Sequence, residues 1–268
     1  MATRSKPFAI NRMPGFGVTA IMMFFMLYAP ISLLIVFSFN ERESLAVWGG
    51  FSLRWYEAAW SNRDIKDAAF RSLWLAAIAA TVATAVATLA AIATTRTRPF
   101  RGLTTVYAMI NMPLMVPEIV TAVALLIFFA WIKVATNYTG AAYLVAAHAA
   151  FCIPFAYLPI RARLESMDAT LEVAAADLYA SPFQAFRRIT LPLLWPGIMA
   201  GYMLAFVISL DDVVITEHIK SAGMETLPTY MLGQLRRSMS PEVNAVSAMF
   251  FLLSVVLVTF FFFLNRKR

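Results

Sequence analysis

Six apolar stretches divide this chain, at about 17–39, 68–94, 103–132, 139–160, 192–216 and 243–264, with polar residues punctuating the intervals. Each is long enough for a helix to cross a hydrocarbon layer, which takes about 20 residues. The pattern predicts an all-α polytopic membrane protein of six transmembrane helices, with 1–268 forming a single transmembrane domain. The first stretch is longer than a signal-peptide core and has no clear small-residue cleavage site, so it reads as an uncleaved anchor and first span.

One interval is longer and differently built. Residues 161–191 form a loop, and within it Leu171 to Pro192, LEVAAADLYASPFQAFRRITLP, is too polar for a bilayer yet reads as helical. Ala174, Ala175 and Ala176 favour helix and carry almost no bulk, so another protein can approach that backbone closely. Ser181 and Pro182 have the form of an N-cap and a first helical residue. Arg187 and Arg188 fall in the last turn of this second short helix, where cations suit the dipole, and Leu191 and Pro192 close the unit. Two readings follow: a helical element presented to a cytoplasmic partner, or an amphipathic loop held by lipid headgroups.

Composition agrees with a membrane setting: 61% of residues are hydrophobic, 14% are charged and mean hydropathy is +0.71, values that exclude a soluble monomer. Basic residues then give orientation. An inside N-terminus gathers Arg4, Lys6, Arg12, Arg96, Arg98, Arg101, Arg161, Arg163, Arg187, Arg188, Arg266, Lys267 and Arg268 on the cytoplasmic side. Both termini and the 161–191 loop are therefore expected in the cytoplasm. The net charge of +7 follows from this topology and makes no case for nucleic acid.

Soluble catalytic machinery is not visible. The chain has no GxxxxGK[ST], HExxH or GxSxG, so any ATP must be bound by another subunit. The single cysteine, Cys152, excludes an internal disulfide and a cysteine-cluster metal site, and no cofactor or metal is expected in this chain. His148 lies among alanines in an apolar stretch and is expected to make a structural hydrogen bond. His218 reads as a solvated loop residue, and Trp48, Trp55, Tyr56 and Trp60 as an interfacial belt.

The candidate chemistry is carboxylate. An acid at membrane depth costs several kcal/mol unless paired, protonated or facing water, which makes Glu118, Asp211 and Asp212 candidates for a substrate pathway. Glu118 follows Pro113 and Pro117, which interrupt the helical ladder and call for a cavity or packed protein around the freed backbone. On a continuous helix Asp212 shares a face with Ser209 and Thr216, whereas Asp211 points about 100° away with Val207 and Val214, so Asp212 is the expected pore-facing acid. Separated carboxylates suit a linear diamine or triamine. The alternative is that the aspartates cap or solvate the end of the fifth span, roughly 28 Å beyond Pro192.

These residues resemble a known family, the integral-membrane permease subunits of bacterial binding-protein-dependent ABC importers. Their cytoplasmic loop carries EAA, three residues, Gly, nine residues, then I-x-L-P. Here Ala174 and Ala175 match, as do Ile189, Leu191 and Pro192, while Val173 stands at the glutamate position beside Glu172 and Tyr179 replaces the glycine. Blocks such as LYAPISLLIVFSFN at 27–40, MPLMVPEIV at 112–120 and SLDDVVI at 209–215 extend the likeness to the polyamine branch, the second permease of spermidine and putrescine importers.

The resemblance implies a MetI-like, type I importer permease in a bacterial inner membrane. Residues Glu172 to Pro192 would dock as a coupling helix on an ATP-binding subunit. Two such subunits, holding ATP and magnesium, a second homologous permease and a periplasmic substrate-binding protein would complete the transporter. Other readings stay open: an importer of another organic cation or basic amino-acid derivative, a secondary transporter or ion channel, and a membrane anchor for a cytoplasmic enzyme.

Overall fold

The computed structural model describes residues 15–44, 47–97, 100–237 and 241–266. Arg4, Lys6, Arg12, Arg98, Lys267 and Arg268, which entered the orientation argument, lie outside the described residues, as does the Arg266 side chain. The helices in chain order are α1 (Phe16–Phe37), α2 (Arg54–Ser61), α3 (Arg63–Thr95), α4 (Leu103–Met115), α5 (Glu118–Thr136), α6 (Ala141–Ser166), α7 (Thr170–Asp177), α8 (Pro182–Ala185), α9 (Leu191–Asp211), α10 (Val214–Ile219), α11 (Leu227–Arg237) and α12 (Pro241–Arg266). Among the described residues there is no strand, only an isolated bridge between Asn40 and Phe51. Among the described residues, six helical segments are long and apolar enough to cross a membrane: Phe16–Phe37, Arg63–Thr95, Glu118–Thr136, Ala141–Ser166, Pro182–Asp211 and Pro241–Phe263.

The residues group into two compact units, the first running to Ser61 and including Gln234–Leu252, the second comprising Asn62–Gly233 and the chain from Leu253. In the first unit, α1 buries none of its residues and leaves Phe24, Phe25 and Met26 exposed, the surface of a helix solvated by lipid. The loop after it is organised by buried Asn40. Its amide nitrogen donates to the Ser44 and Val47 carbonyls at 2.8 and 2.9 Å, and its side-chain oxygen accepts from Gly49 N–H at 2.8 Å. Trp55 and Tyr56 are tied into the same structure: the indole N–H donates to the Asn40 carbonyl at 2.8 Å, and the Tyr56 and Ser38 hydroxyls lie 2.6 Å apart. Trp60, by contrast, is exposed.

In the second unit α3, α6 and α9 pack on one another. Because lipid is as apolar as a side chain, such packing depends on close fit rather than on escape from water, and small residues provide it. Helix α3 buries Ala76, Ala79, Ala80, Ala83, Ala87 and Ala91 at three- and four-residue spacing. Helix α9 contributes Gly197 and Gly201. A Cβ at Gly201 would lie 2.6 Å from the Ala156 carbonyl oxygen, so α6 and α9 cross there in backbone contact. The Arg163 Nε–H donates across the same pair to the Leu193 carbonyl at 2.9 Å, and the Thr94 and Tyr157 hydroxyls, 2.9 Å apart, link α3 to α6.

Two expected spans are broken. The stretch 103–132 is two helices, because Pro117 forces the preceding Val116 into an extended conformation, with ψ of 134°, and then starts α5 as its cap. The fifth stretch, expected over 192–216, ends as a helix at Asp211. Asp212 is extended, with φ −63° and ψ 128°, and α10 begins at Val214. At the other end of α9 the short helix α8 does not stop. It runs into α9 through a π-helical turn, Phe186–Thr190, so Arg187 and Arg188 lie inside a continuous helical path and Leu191 and Pro192 begin the span rather than closing the loop. Pro192 has no N–H for the carbonyl four residues back and crowds it, and a widened turn relieves both.

Candidate functional site

The two broken spans bring the acids within electrostatic reach of one another. Glu118 is the first residue of α5, where a negative charge complements the free amides and the helix dipole, and it is half-buried. Asp211 is the last residue of α9 and is exposed; Glu118 lies within electrostatic reach of it and of Asp212. The free carbonyls ending α9 add negative character beside Asp211. A cation is thus favoured by two carboxylates and a helix C-terminus.

Asp212 does something else, and the expectation that it faces the pore is corrected. It is only 6% exposed. Its Oδ1 accepts the Ile215 and Thr216 amides at 3.0 and 3.1 Å, so it caps α10. The helical-face argument failed because it assumed an unbroken helix through 212, and the extended residue there turns Asp211 rather than Asp212 outward. Ser209 and Thr216 do meet near Asp212, but both are buried. The His148 ring lies between them, Nδ1 2.8 Å from Ser209 Oγ and Nε2 2.9 Å from Thr216 Oγ1. The structural hydrogen bond expected of His148 is therefore a double one. Its partners lie 61 and 68 positions away in the chain, and no local sequence signal names them.

His218 is held by its Nδ1 at 2.7 Å from the Val214 carbonyl, and it lines a cavity of about 790 Å³ with Lys133, Tyr143 and Lys220. No carboxylate lines that cavity. The acids of the broken spans are the better place for a cation.

The polar helical element, α7 and α8, divides into an inner and an outer face. Helix α7 is started by Asp168, whose carboxylate accepts the Thr170 amide at 2.9 Å, and that bond holds its carboxyl below the usual range. Ala175 is buried, while Ala174 and Ala176 are exposed. Val173, Leu178, Tyr179 and Phe183 are exposed large apolar groups, an unusual surface for a loop. Tyr179 holds the left-handed backbone conformation that favours glycine, at φ 60°, so the turn is retained and the ring stands 97% exposed. Ser181 caps α8 in a reciprocal box: its Oγ accepts Gln184 N–H at 3.3 Å, and its own N–H donates to Gln184 Oε1 at 3.0 Å. Arg187, Arg188 and Pro192 are exposed, and Ile189 and Leu191 half-buried.

Glu172 faces inward. Its Oε1 accepts from the Thr190 hydroxyl at 2.8 Å and pairs with Arg96 Nε at 3.4 Å, beside a cavity of about 410 Å³ lined also by Ile92, Ala176 and Phe186. Sequence reasoning placed Glu172 at the docking end and did not foresee Arg96 or Thr190. No group of three or more metal-ligating side chains occurs among the described residues.

Among the described residues, six apolar segments, a polar helical element between two of them and acids at two helix breaks define a multi-pass membrane transport subunit. Residues 86–267 match the family described as binding-protein-dependent transport system inner membrane component, and the chain belongs to that family. It is 36% identical over 243 residues to the putrescine transport system permease protein PotI of Escherichia coli K12, covering 90% of this chain and 86% of that one. It is 38% identical over 242 residues to the spermidine/putrescine transport system permease protein PotC of Haemophilus influenzae, covering 90% and 93%. Among solved structures, a chain of a bacterial ABC transporter that imports the acidic polysaccharide alginate superposes with a TM-score of 0.71 at 14% identity, over 94% of this chain and 96% of that one. A chain of the MetNI methionine ABC transporter gives 0.62 at 16% identity, over 74% and 93%. The fold is that of ABC importer permeases.

Proposed function

We propose that the whole chain, 1–268, works as one permease domain, pairing with a second, homologous permease to form a passage for linear polyamines of the putrescine and spermidine class. The observation that carries this reading is that Glu118 and Asp211, at the ends of two broken spans, lie within electrostatic reach of each other beside the carbonyl terminus of α9. A flexible polycation satisfies such groups in turn, and weak, divided binding lets it leave. The substrates named for the similar permeases support the same class.

ATP and magnesium belong on two partner subunits, each gripping one coupling element. Here the grip would fall on the exposed Val173, Leu178, Tyr179 and Phe183, with Arg187 and Arg188 at the edge. Arg96, Arg101, Arg161, Arg163, Arg187 and Arg188 support an orientation with that element and both termini in the cytoplasm, in a bacterial inner membrane. A periplasmic binding protein delivers substrate on the opposite side. ATP and the loaded binding protein must both favour the outward-facing state, since a ligand shifts an equilibrium only by differential affinity.

The test is uptake of labelled putrescine and spermidine by the complete complex in proteoliposomes. Uptake should require both ATP and the binding protein, and D211N or E118Q should cut it at least tenfold without loss of assembly. Uptake by this chain alone, driven by a proton gradient, would overturn the reading.

A further inference from the structure

A break in a membrane-spanning helix leaves a joint with two soft residues, and something must fix its angle. Here Asp212 and Val213 form the joint. The Asp212 carboxylate satisfies the freed amides of α10, but a cap on α10 alone does not fix α10 against α9. His148 does reach both sides. It projects from α6, is 1% exposed, and holds Ser209 on α9 with one ring nitrogen and Thr216 on α10 with the other. In a neutral imidazole one nitrogen donates and the other accepts, and each hydroxyl can take either part, so both bonds are satisfied together.

The ring itself is anchored. One turn along α6, the Cys152 thiol donates to the Ala205 carbonyl of α9 at 3.4 Å, and Ala147, Ala149 and Cys152 are buried around the site. Helix α10 packs against α5, whose first residue is Glu118. The angle at the joint therefore sets how far Asp211, at the end of α9, stands from Glu118.

We propose that His148 is a positioning residue, a clamp across the break in the fifth span that sets the spacing of Glu118 and Asp211 and through it the affinity of the passage for a cation. This rests on the substrate-pathway reading above. His148 touches no substrate in this scheme; it acts through Ser209 and Thr216.

The experiment uses the complete complex in nanodiscs and proteoliposomes, with H148A, H148Q, and a S209A/T216V pair with and without H148A. Amide hydrogen exchange over 214–219 reads the clamp, and the KM and Vmax for labelled putrescine and spermidine read the site. H148A should speed exchange there at least tenfold and raise KM about tenfold with Vmax changed less than threefold. H148Q, which keeps a polar group near the Nε2 position, should recover part of both effects. H148A added to S209A/T216V should change neither further. Unaltered exchange in H148A overturns the clamp; faster exchange with unaltered KM overturns the positioning role; additive effects in the combined variant overturn both links. Should H148A fail to assemble, S209A and T216V singly must each speed exchange, or the clamp is wrong. If instead E118Q and D211N leave uptake untouched, it is the pathway reading that falls, and the exchange measurement still decides the clamp.

Discussion

Asp211 is exposed and its neighbour Asp212 is buried, and one substitution series separates them. Replacing Asp212 by alanine strips the cap from the Ile215 and Thr216 amides, which belong to buried residues. A side-chain cap contributes about 0.5–2 kcal/mol, and a buried amide left without a partner costs about 1–3 kcal/mol, so the joint should lose about 2–3 kcal/mol. That is roughly a 30- to 150-fold larger population of locally opened molecules. The chain carries its own reporter: Cys152 is fully buried, is the only cysteine in the sequence, and lies within electrostatic reach of Asp212. A thiol reagent reaches it only through opening, so under native conditions the labelling rate of purified chain follows the open population. D212A should label roughly 30- to 150-fold faster than the native chain. D212N keeps an acceptor at Oδ1 and places its amide at Oδ2, an oxygen without a hydrogen-bond partner among the described residues, so it should label within about threefold of native. The asparagine removes the same charge, and any direct influence of that charge on thiol reactivity is common to both variants. If D212A labels at the native rate, or D212N as fast as D212A, Asp212 is not the cap that governs this joint.

Other substitutions probe the remaining elements. D211N should leave Cys152 labelling unchanged, because Asp211 is exposed, while lowering polyamine uptake at least tenfold; unchanged uptake would remove it from the pathway. Y179G relieves a left-handed residue worth about 1 kcal/mol and should raise thermal stability slightly, yet weaken co-purification of the ATPase subunits if the exposed ring docks. G201A drives a Cβ to 2.6 Å from a backbone oxygen and should destabilise the α6–α9 crossing by about 1–3 kcal/mol, seen as a lower melting temperature in detergent. E172Q keeps the Thr190 hydrogen bond but loses the charge facing Arg96, and it should reduce coupling of ATP hydrolysis to uptake without reducing subunit binding; lost binding would return Glu172 to the docking face.

Much of this was legible in the chain, for physical reasons that differ by element. Span positions follow from apolar length, which the bilayer dictates directly. The break before Glu118 follows from Pro117, a covalent constraint written at one position. The break at Asp212 was not legible, since SLDDVVI contains neither proline nor glycine, and the joint is held by a cap, by His148 and by packing of α10 on α5 and α6. One unseen extended residue reversed the assignment of the two aspartates. Ser181 was readable as a cap because capping is local, whereas the direction of Glu172 depends on Arg96, from a helix that ends before the loop begins.

The polar element of α7 and α8 is tied to the spanning helices in two ways, and they lead to the same place. Through the π-helical turn, α8 is continuous with α9, and through the Arg96–Glu172 pair, α7 is joined to the end of α3. Helices α3 and α9 both pack on α6 in close small-residue contact, so a load on the loop moves these three together rather than sliding one past another. Freedom remains beyond the breaks: α4 meets α5 at Val116–Pro117, and α9 meets α10 at Asp212–Val213. Glu118 stands just past the first joint and Asp211 just before the second. On the proposed mechanism, force applied at Val173, Tyr179 and Phe183 is therefore felt as a change in the distance between those two carboxylates, and a polycation held by both is gripped or released by the motion that opens the passage.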